Sequence, residues 1–307
     1  MEAALNGYAV IWSVIAVGFV CGHFRVLNEQ HRELLSNFAF SVASPFLLFS
    51  IMAKASLAHV FSTTLAVSAA AILVAGASYL LVSRLFRPDV GGRVVGTLCS
   101  AYTNAGNLGL PVAAYILGDM TWMAPIMLIQ LGLLQPTAIA ILDSTTRHAN
   151  RRPWWYYATL PFRNPITVGT LAGLVVNLVG LKLPDLLWQP IDMVGNAAVP
   201  VMLIAFGVSL RLDPPPGRGP HRRELVAIGA IKALWHPLVA WLLATAVGLS
   251  PHDTLAVVVI AALPSAQNIY LLASRYRVRT LLARDAIFCT TIASVPVIMG
   301  VATVLGG

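Results

Sequence analysis

Charge is what this sequence has least of. Asp, Glu, Lys and Arg make up 10% of it, while 58% is hydrophobic. A soluble domain carries about 25% charged residues, so this chain has too few polar side chains to coat a water-facing surface. Lipid removes that need, because outward-facing side chains can then be apolar as well. Acidic groups are the scarcer sign, 12 against 20 basic. All lie in or near loops, termini or the ends of apolar runs, which leaves no buried carboxylate pair. The sequence also lacks a His-Glu-x-x-His or Gly-x-Ser-x-Gly pattern, so a membrane-embedded enzyme has no visible catalytic set. Cysteine is nearly absent: Cys21, Cys99 and Cys289 are scattered without metal-ligand spacing and read as small packing residues. No motif asks for a cofactor or a metal. The segment Met1-Glu2-Ala3-Ala4 has no positive charge, so the first apolar run reads as a retained helix and not a signal peptide.

What the sequence does have is apolar length. Crossing a bilayer takes about 20 mostly apolar residues. The runs predict ten transmembrane helices at 6–24, 34–53, 62–83, 94–117, 122–142, 165–180, 189–210, 224–247, 254–274 and 285–305. The sixth is short and the seventh begins on polar residues. The expected fold is all-α, with a first five-helix repeat over 1–142, a cytoplasmic linker over 143–164 and a second repeat over 165–307. The linker carries Arg147, Arg151, Arg152 and Arg163 around Trp154, Trp155, Tyr156 and Tyr157, the composition of an interfacial anchor.

The formal net charge of +8 is spread over short clusters between apolar runs. That is a topology signal and not a nucleic-acid surface. With ten spans, the odd-numbered loops hold 17 of the 20 Lys and Arg, and the even loops hold only Lys54 and Lys182. The asymmetry predicts an integral protein of a plasma (inner) membrane with both termini outside the cytoplasm.

The halves echo each other. Ser44-Pro45-Phe46-Leu47-Leu48 resembles Val199-Pro200-Val201-Met202-Leu203 at an offset of 155 residues, and Leu110-Pro111 matches Leu263-Pro264 at 153. Five spans are an odd number, so the second half enters from the opposite side and the repeat is inverted. The matched prolines mark two interrupted spans. In the fourth, Thr103-Asn104-Ala105-Gly106-Asn107-Leu108-Gly109-Leu110-Pro111 puts two glycines, two asparagines and a proline inside an apolar run. A glycine costs a helix about 1 kcal/mol and a proline about 3, so the helix is expected to open, with Pro111 in the first turn of a new half. In the ninth, Pro264-Ser265-Ala266-Gln267-Asn268 is the counterpart. Opened backbone at membrane depth is tolerated where it lines a cavity or is buried in protein. Two half-helix amino ends with free N–H groups suit an anion. The candidate substrate-binding residues are Thr103, Asn104, Asn107, Pro111, Pro264, Ser265, Gln267 and Asn268.

The segment from Asn104 to Pro111 resembles the asparagine-glycine-proline signature in the fourth helix of the auxin efflux carrier family. The stretch Leu263 to Asn268, with Ala283 to Pro296, is similar to that family's last two helices, and the resemblance covers nearly the whole chain. It implies a fold like that of bile-acid sodium symporters, with a scaffold domain and a transport domain that carries two crossing broken helices, each built from both repeats. It implies carriage of organic anions, such as malonate-like dicarboxylates in bacteria or indole-acetate in plants. The family's crossover prolines and asparagines correspond here to Pro111, Pro264, Asn104, Asn107 and Asn268. Two features depart from the pattern. The long cytoplasmic loop of plant members is absent, and no acidic residue stands near the second crossover, where a bile-acid symporter is expected to have one. The sodium-coupled alternative therefore has no carboxylate to build on, though carbonyl and amide oxygens also suit a hard cation.

Lys232 is the one basic residue well inside a span, with His236 one turn on. An ionisable residue there is a functional candidate, for coupling or for attracting the anion, and snorkelling to the cytoplasmic edge is the competing explanation. The expectation is a secondary transporter for a small mono- or dicarboxylate, with membrane lipid around it, no nucleic acid, and a homodimer left open. A membrane-embedded ligand sensor would share these motifs, but no soluble sensory domain is attached.

Overall fold

The computed structural model describes residues 2–54, 63–145, 153–212, 217 and 221–306. The described residues are helical throughout, and their one β-type contact is an isolated bridge. In chain order the helices are α1 (Glu2–His23), α2 (Glu29–Lys54), α3 (Thr63–Leu85), α4 (Val90–Ala101), α5 (Ala105–Leu117), α6 (Met120–Thr145), α7 (Trp154–Arg163), α8 (Pro165–Val179), α9 (Asp185–Leu212), α10 (Arg222–Val247), α11 (Pro251–Ala262), α12 (Asn268–Tyr276) and α13 (Thr280–Leu305). Six of them, α2, α3, α6, α9, α10 and α13, are long and apolar enough to cross a membrane. The pair Trp154–Leu160 and Pro165–Val179, bent by 69°, is a seventh candidate.

The linker expected over 143–164 is in part helical, since α6 runs on to Thr145 and α7 occupies Trp154–Arg163. Asn164 ends the excursion: its side-chain oxygen accepts from Ile166 N at 3.0 Å, and Pro165 takes the first helical position of α8, where a missing N–H costs nothing. Trp154 and Trp155 are 79% and 53% exposed. The arginines Arg147, Arg151 and Arg152 lie outside the described residues.

Prolines shape the long helices in a consistent way. Pro45, Pro111, Pro136 and Pro237 each lie two residues after a π turn: Ala39–Ala43, Ala105–Gly109, Gln130–Leu134 and Ile231–Trp235. A proline lacks the N–H that the carbonyl four residues back needs, and its ring crowds that carbonyl. Widening the turn moves the carbonyl aside and offers it to the N–H one residue further on. The helix continues with a bulge in place of a break.

Packing divides the helices into two groups. α1 lies along α9, and α8 and the start of α9 lie along α2. In the second group α3 packs on α4, α10 and α11, α10 on α11, and α13 on α11 and α12. The first group is held by glycines at van der Waals limits. A methyl group on Gly18 would meet Ile204 O at 2.2 Å, one on Gly207 would meet Ile15 O at 2.0 Å, and one on Gly173 would meet Phe49 O at 2.3 Å. Small residues let helix backbones approach closely, which is how packing is gained where lipid supplies no hydrophobic drive. At one end of this group Lys54 pairs with Asp192 at 3.0 Å and lies over the Trp188 ring at 4.3 Å. At the other, Arg211 Nε donates to His23 at 3.3 Å.

Candidate functional site

Two helical rows are broken, and the breaks meet. Between α4 and α5 the chain leaves the helix at Tyr102 (ψ 114°), and between α11 and α12 it leaves at Leu263 (ψ 145°). Proline at 264 explains the second break, because the residue before a proline is pushed out of the α region. Thr103 and Ser265 then pair in the antiparallel sense, and Asn104 N donates to Pro264 O at 2.7 Å. The two extended segments thus satisfy part of each other's backbone, which helix geometry no longer does.

Side chains close most of the remaining valences. α4 ends with free carbonyls, and Ser265 Oγ donates to one of them, Cys99 O, at 2.5 Å. Thr290 Oγ1, from α13, accepts from Ser265 N at 3.1 Å. Gln130 Nε2, from the π turn of α6, donates to Thr103 Oγ1 at 2.6 Å. Asn104 caps α5, its Oδ1 accepting from Asn107 N at 3.1 Å. Thr103, Asn104, Pro264 and Ser265 are buried and committed to this framework.

Pro111 stands elsewhere than the sequence suggests. The break falls at residues 102–104, so Pro111 is not in the first turn of the new half. It lies inside α5, after the π turn Ala105–Gly109 that absorbs its missing N–H. The extended pair Thr103–Ser265 and the Asn104 cap set the helix start ahead of it.

Asn107 and Gln267 are different from the framework residues. Asn107 Nδ2 donates to Gln267 Oε1 at 3.0 Å, joining α5 to the second break. Both side chains are half-buried, and both line a small cavity. Its other wall is Ser36 of α2 with Met202, Ala205 and Phe206 of α9. Among the described residues no hydrogen bond takes up Asn107 Oδ1, the second Asn107 N–H or the Gln267 amide N–H groups. The amino ends of α5 and α12 and the carboxyl ends of α4 and α11 gather at this point, so partial charges of both signs are present. Asn268 Nδ2 reaches Tyr102 Oη at 3.0 Å and Gln135 Oε1 at 3.4 Å, and its buried Oδ1 is unpartnered. A second, mostly apolar cleft lies between Trp12 and Ile15 of α1, Leu108 and Val112 of α5, Pro264 and residues of α13; Phe206 lines both spaces.

The profile of the membrane transport protein family matches residues 5–146 and 158–301. The chain belongs to that family. It is the auxin efflux carrier family of the motif resemblance, and the match spans both breaks and nearly all of the sequence. Among similar proteins, an uncharacterized transporter of Methanocaldococcus jannaschii is 23% identical over 304 residues, covering 94% of each chain. A Rhizobium meliloti protein named "Putative malonate transporter" is 25% identical over 305 residues, covering 94% of this chain and 92% of the relative. This member of the membrane transport protein family is therefore an integral membrane transporter with a small-molecule substrate.

Lys232 and His236 do not line either space. Lys232 is 1% exposed, so it does not snorkel to the membrane edge. Its Nζ donates to Ala261 O at 2.9 Å and lies 2.9 Å from His236 Nδ1. Tyr102 is buried with its hydroxyl at Asn268, whereas Tyr270 is 39% exposed. Sequence reasoning missed Gln130, Gln135 and Thr290. Each lies in an apolar run, and its partner is at one of the two breaks: Thr103, Asn268 and Ser265 respectively.

Proposed function

We propose that this transporter carries a small mono- or dicarboxylate by alternating access, bound at the amides of Asn107 and Gln267. The observation that carries the reading is that this pair bridges the two broken rows and faces a wall from a different helix group. A ligand held there touches both groups at once, and a shift of one group past the other changes which side it sees. In this reading α1, α2, α8 and α9 form the scaffold, and α3–α6 with α10–α13 form the transport domain.

The ten-span, inverted-repeat architecture belongs to the same proposal. Gly18 and Gly173 are 155 positions apart, as are Phe49 and Ile204. Gly18 lies against Ile204 O and Gly173 against Phe49 O. One offset therefore maps the α1–α9 contact onto the α8–α2 contact, and it is the offset between Pro45 and Pro200. In this arrangement α4–α5 and α11–α12 each make one broken span, and both termini lie outside.

The anion preference rests on donors without a carboxylate. Among the described residues no acidic side chain lines the cavity, and the amides and helix amino ends offer N–H groups to a carboxylate. An interior-negative potential favours outward movement of an anion by about 2.3 kcal/mol per charge per 100 mV, so an uncoupled carrier exports. The test is counterflow of malonate, other dicarboxylates and monocarboxylates into proteoliposomes. Asn107→Ala and Gln267→Ala each remove donors to a charged ligand, a loss of about 1.5–3 kcal/mol. The expected result is about a 10- to 100-fold drop in apparent affinity. Unchanged transport in both variants would remove the site from consideration.

A further inference from the structure

The buried amine of Lys232 has no assigned part in the cavity. Its position at the end of α11 gives it one. In an unbroken helix the carbonyl of Ala261 would accept from the N–H of Ser265. That N–H is turned to Thr290 Oγ1 instead, and Pro264 has no N–H to offer in its place. Leu263 N is shared between Val259 O and Ile260 O. Ala261 O would be an orphan in a dry interior, and Lys232 Nζ fills the vacancy at 2.9 Å. The amine comes from the π turn that Pro237 imposes on Ile231–Trp235, and the His236 ring lies beside it at 2.9 Å. Among the described residues no carboxylate pairs with it; the buried Glu224 is engaged by Tyr79 and Arg279.

Carbonyls freed at the carboxyl end of a half-helix are where transporters with broken spans hold a coupling cation. Here a tethered N–H donor stands at such a carbonyl. We infer that Lys232 is the positioning residue of the crossover: its amine does at the end of α11 what a bound sodium ion would otherwise do. The second break then keeps its geometry, and Gln267 its place in the cavity, without sodium. An amine has N–H groups to donate in either protonation state, so the role does not depend on which one is present. The inference rests on the carrier reading above, and it assigns that carrier sodium-independent binding.

The experiment uses the full-length purified protein with two readouts. The first is thermal unfolding in sodium chloride against choline chloride at equal ionic strength, which needs no transport. Wild type is expected to be indifferent to sodium. Lys232→Ala, which leaves space at Ala261 O, is expected to gain a sodium-dependent rise in Tm of about 3 °C. Lys232→Met, which fills the space without a donor, should gain none, and Lys232→Gln, which keeps N–H groups, should behave as wild type. The second readout is malonate counterflow. Lys232→Met is expected to lose about 10-fold in apparent affinity in either salt, with part of the loss in Lys232→Ala restored by sodium. Sodium dependence of the wild type, or a Lys232→Ala protein blind to sodium in both readouts, overturns the assignment. If Lys232→Ala does not fold, wild type and Lys232→Gln still decide it by their response to sodium. If no variant moves a carboxylate, the carrier reading fails while the unfolding data still judge Lys232.

Discussion

At the scale of single residues, most of the buried polar groups among the described residues find a hydrogen-bond partner, and few of the pairs join opposite charges. Tyr79 is an example away from the crossover. Its hydroxyl donates to Glu224 at 2.6 Å, and its ring lies on the backbone of Gly96. A methyl group at Gly96 would sit 2.0 Å from that ring and hydroxyl. Gly96→Ala is therefore expected to cost more stability than Tyr79→Phe. Tyr79→Phe deprives a buried carboxylate of one hydrogen bond, about 1.5–3 kcal/mol. Gly96→Ala forces the ring aside, which adds about 1–3 kcal/mol of overpacking to the loss of the same bond. Unfolding curves in detergent measure both, and adding Tyr79→Ala to Gly96→Ala should relieve the clash. Equal losses would mean that the ring has room the structure does not show. Residue types and spacing placed the polar side chains of the two breaks but not their duties. Asn104 and Asn107 look alike in the sequence; one caps a helix and the other faces a cavity, because the chain turns between them. Glu224 reads as a loop-end acid, and only the approach of α3 shows that it is buried.

At the scale of elements, the outcome of a proline depends on whether the next turn can widen. Pro111 and Pro264 occupy matched places in the sequence, yet the helix bulges at one and stops at the other. Before Pro111 the small residues Ala105, Gly106 and Gly109 allow a π turn. At Pro264 the backbone of Leu263 and Ser265 is extended and tied to Thr103 and Thr290. This gives opposite expectations for two similar substitutions. Pro264→Ala supplies an N–H that Ile260 O can take, so the helical state of residues 263–267 gains on the crossover. Transport is expected to fall about 10-fold or more, while Tm holds or rises, since a helical proline is unfavourable by about 3 kcal/mol. Pro111→Ala lies seven residues past its break and should change flux less than about threefold, within the scatter expected away from a break. Flux and Tm for the pair separate the cases; a larger defect at Pro111 would move the functional break into α5. The two interruptions were legible from composition, and so was the break at Pro264. The start of α5 was not, because it is fixed by Ser265, a residue of the other half. The helical content of the linker was hidden for a related reason: Trp154–Arg163 is too mixed to read as a span, and its bend against α8 depends on the Asn164 cap.

At the scale of the whole molecule, the two helix groups differ in how they are joined. Within the group of α1, α2, α8 and α9, backbone approaches backbone at Gly18, Gly173 and Gly207, and no side chain stands between. Between the groups lie the cavity at Asn107 and Gln267 and the cleft at Leu108 and Val112, with Phe206 at the margin of both. Interfaces that slide should be those with space and side chains between them, whereas close-packed backbone moves as one body. A reversible cross-link tests the division. In a protein whose three cysteines are replaced by alanine, Phe206→Cys with Val112→Cys spans the two groups. Phe49→Cys with Trp188→Cys lies within one, where the native rings are 5.9 Å apart. Bridging the first pair with a short thiol reagent is expected to stop carboxylate flux, and reduction to restore it. Bridging the second should leave flux within about twofold, as for changes remote from a moving interface. Full transport with the first pair bridged would mean that the groups do not move past each other. Substrate would then have to pass beside Phe206, and replacing that ring with alanine should speed flux instead of impairing it.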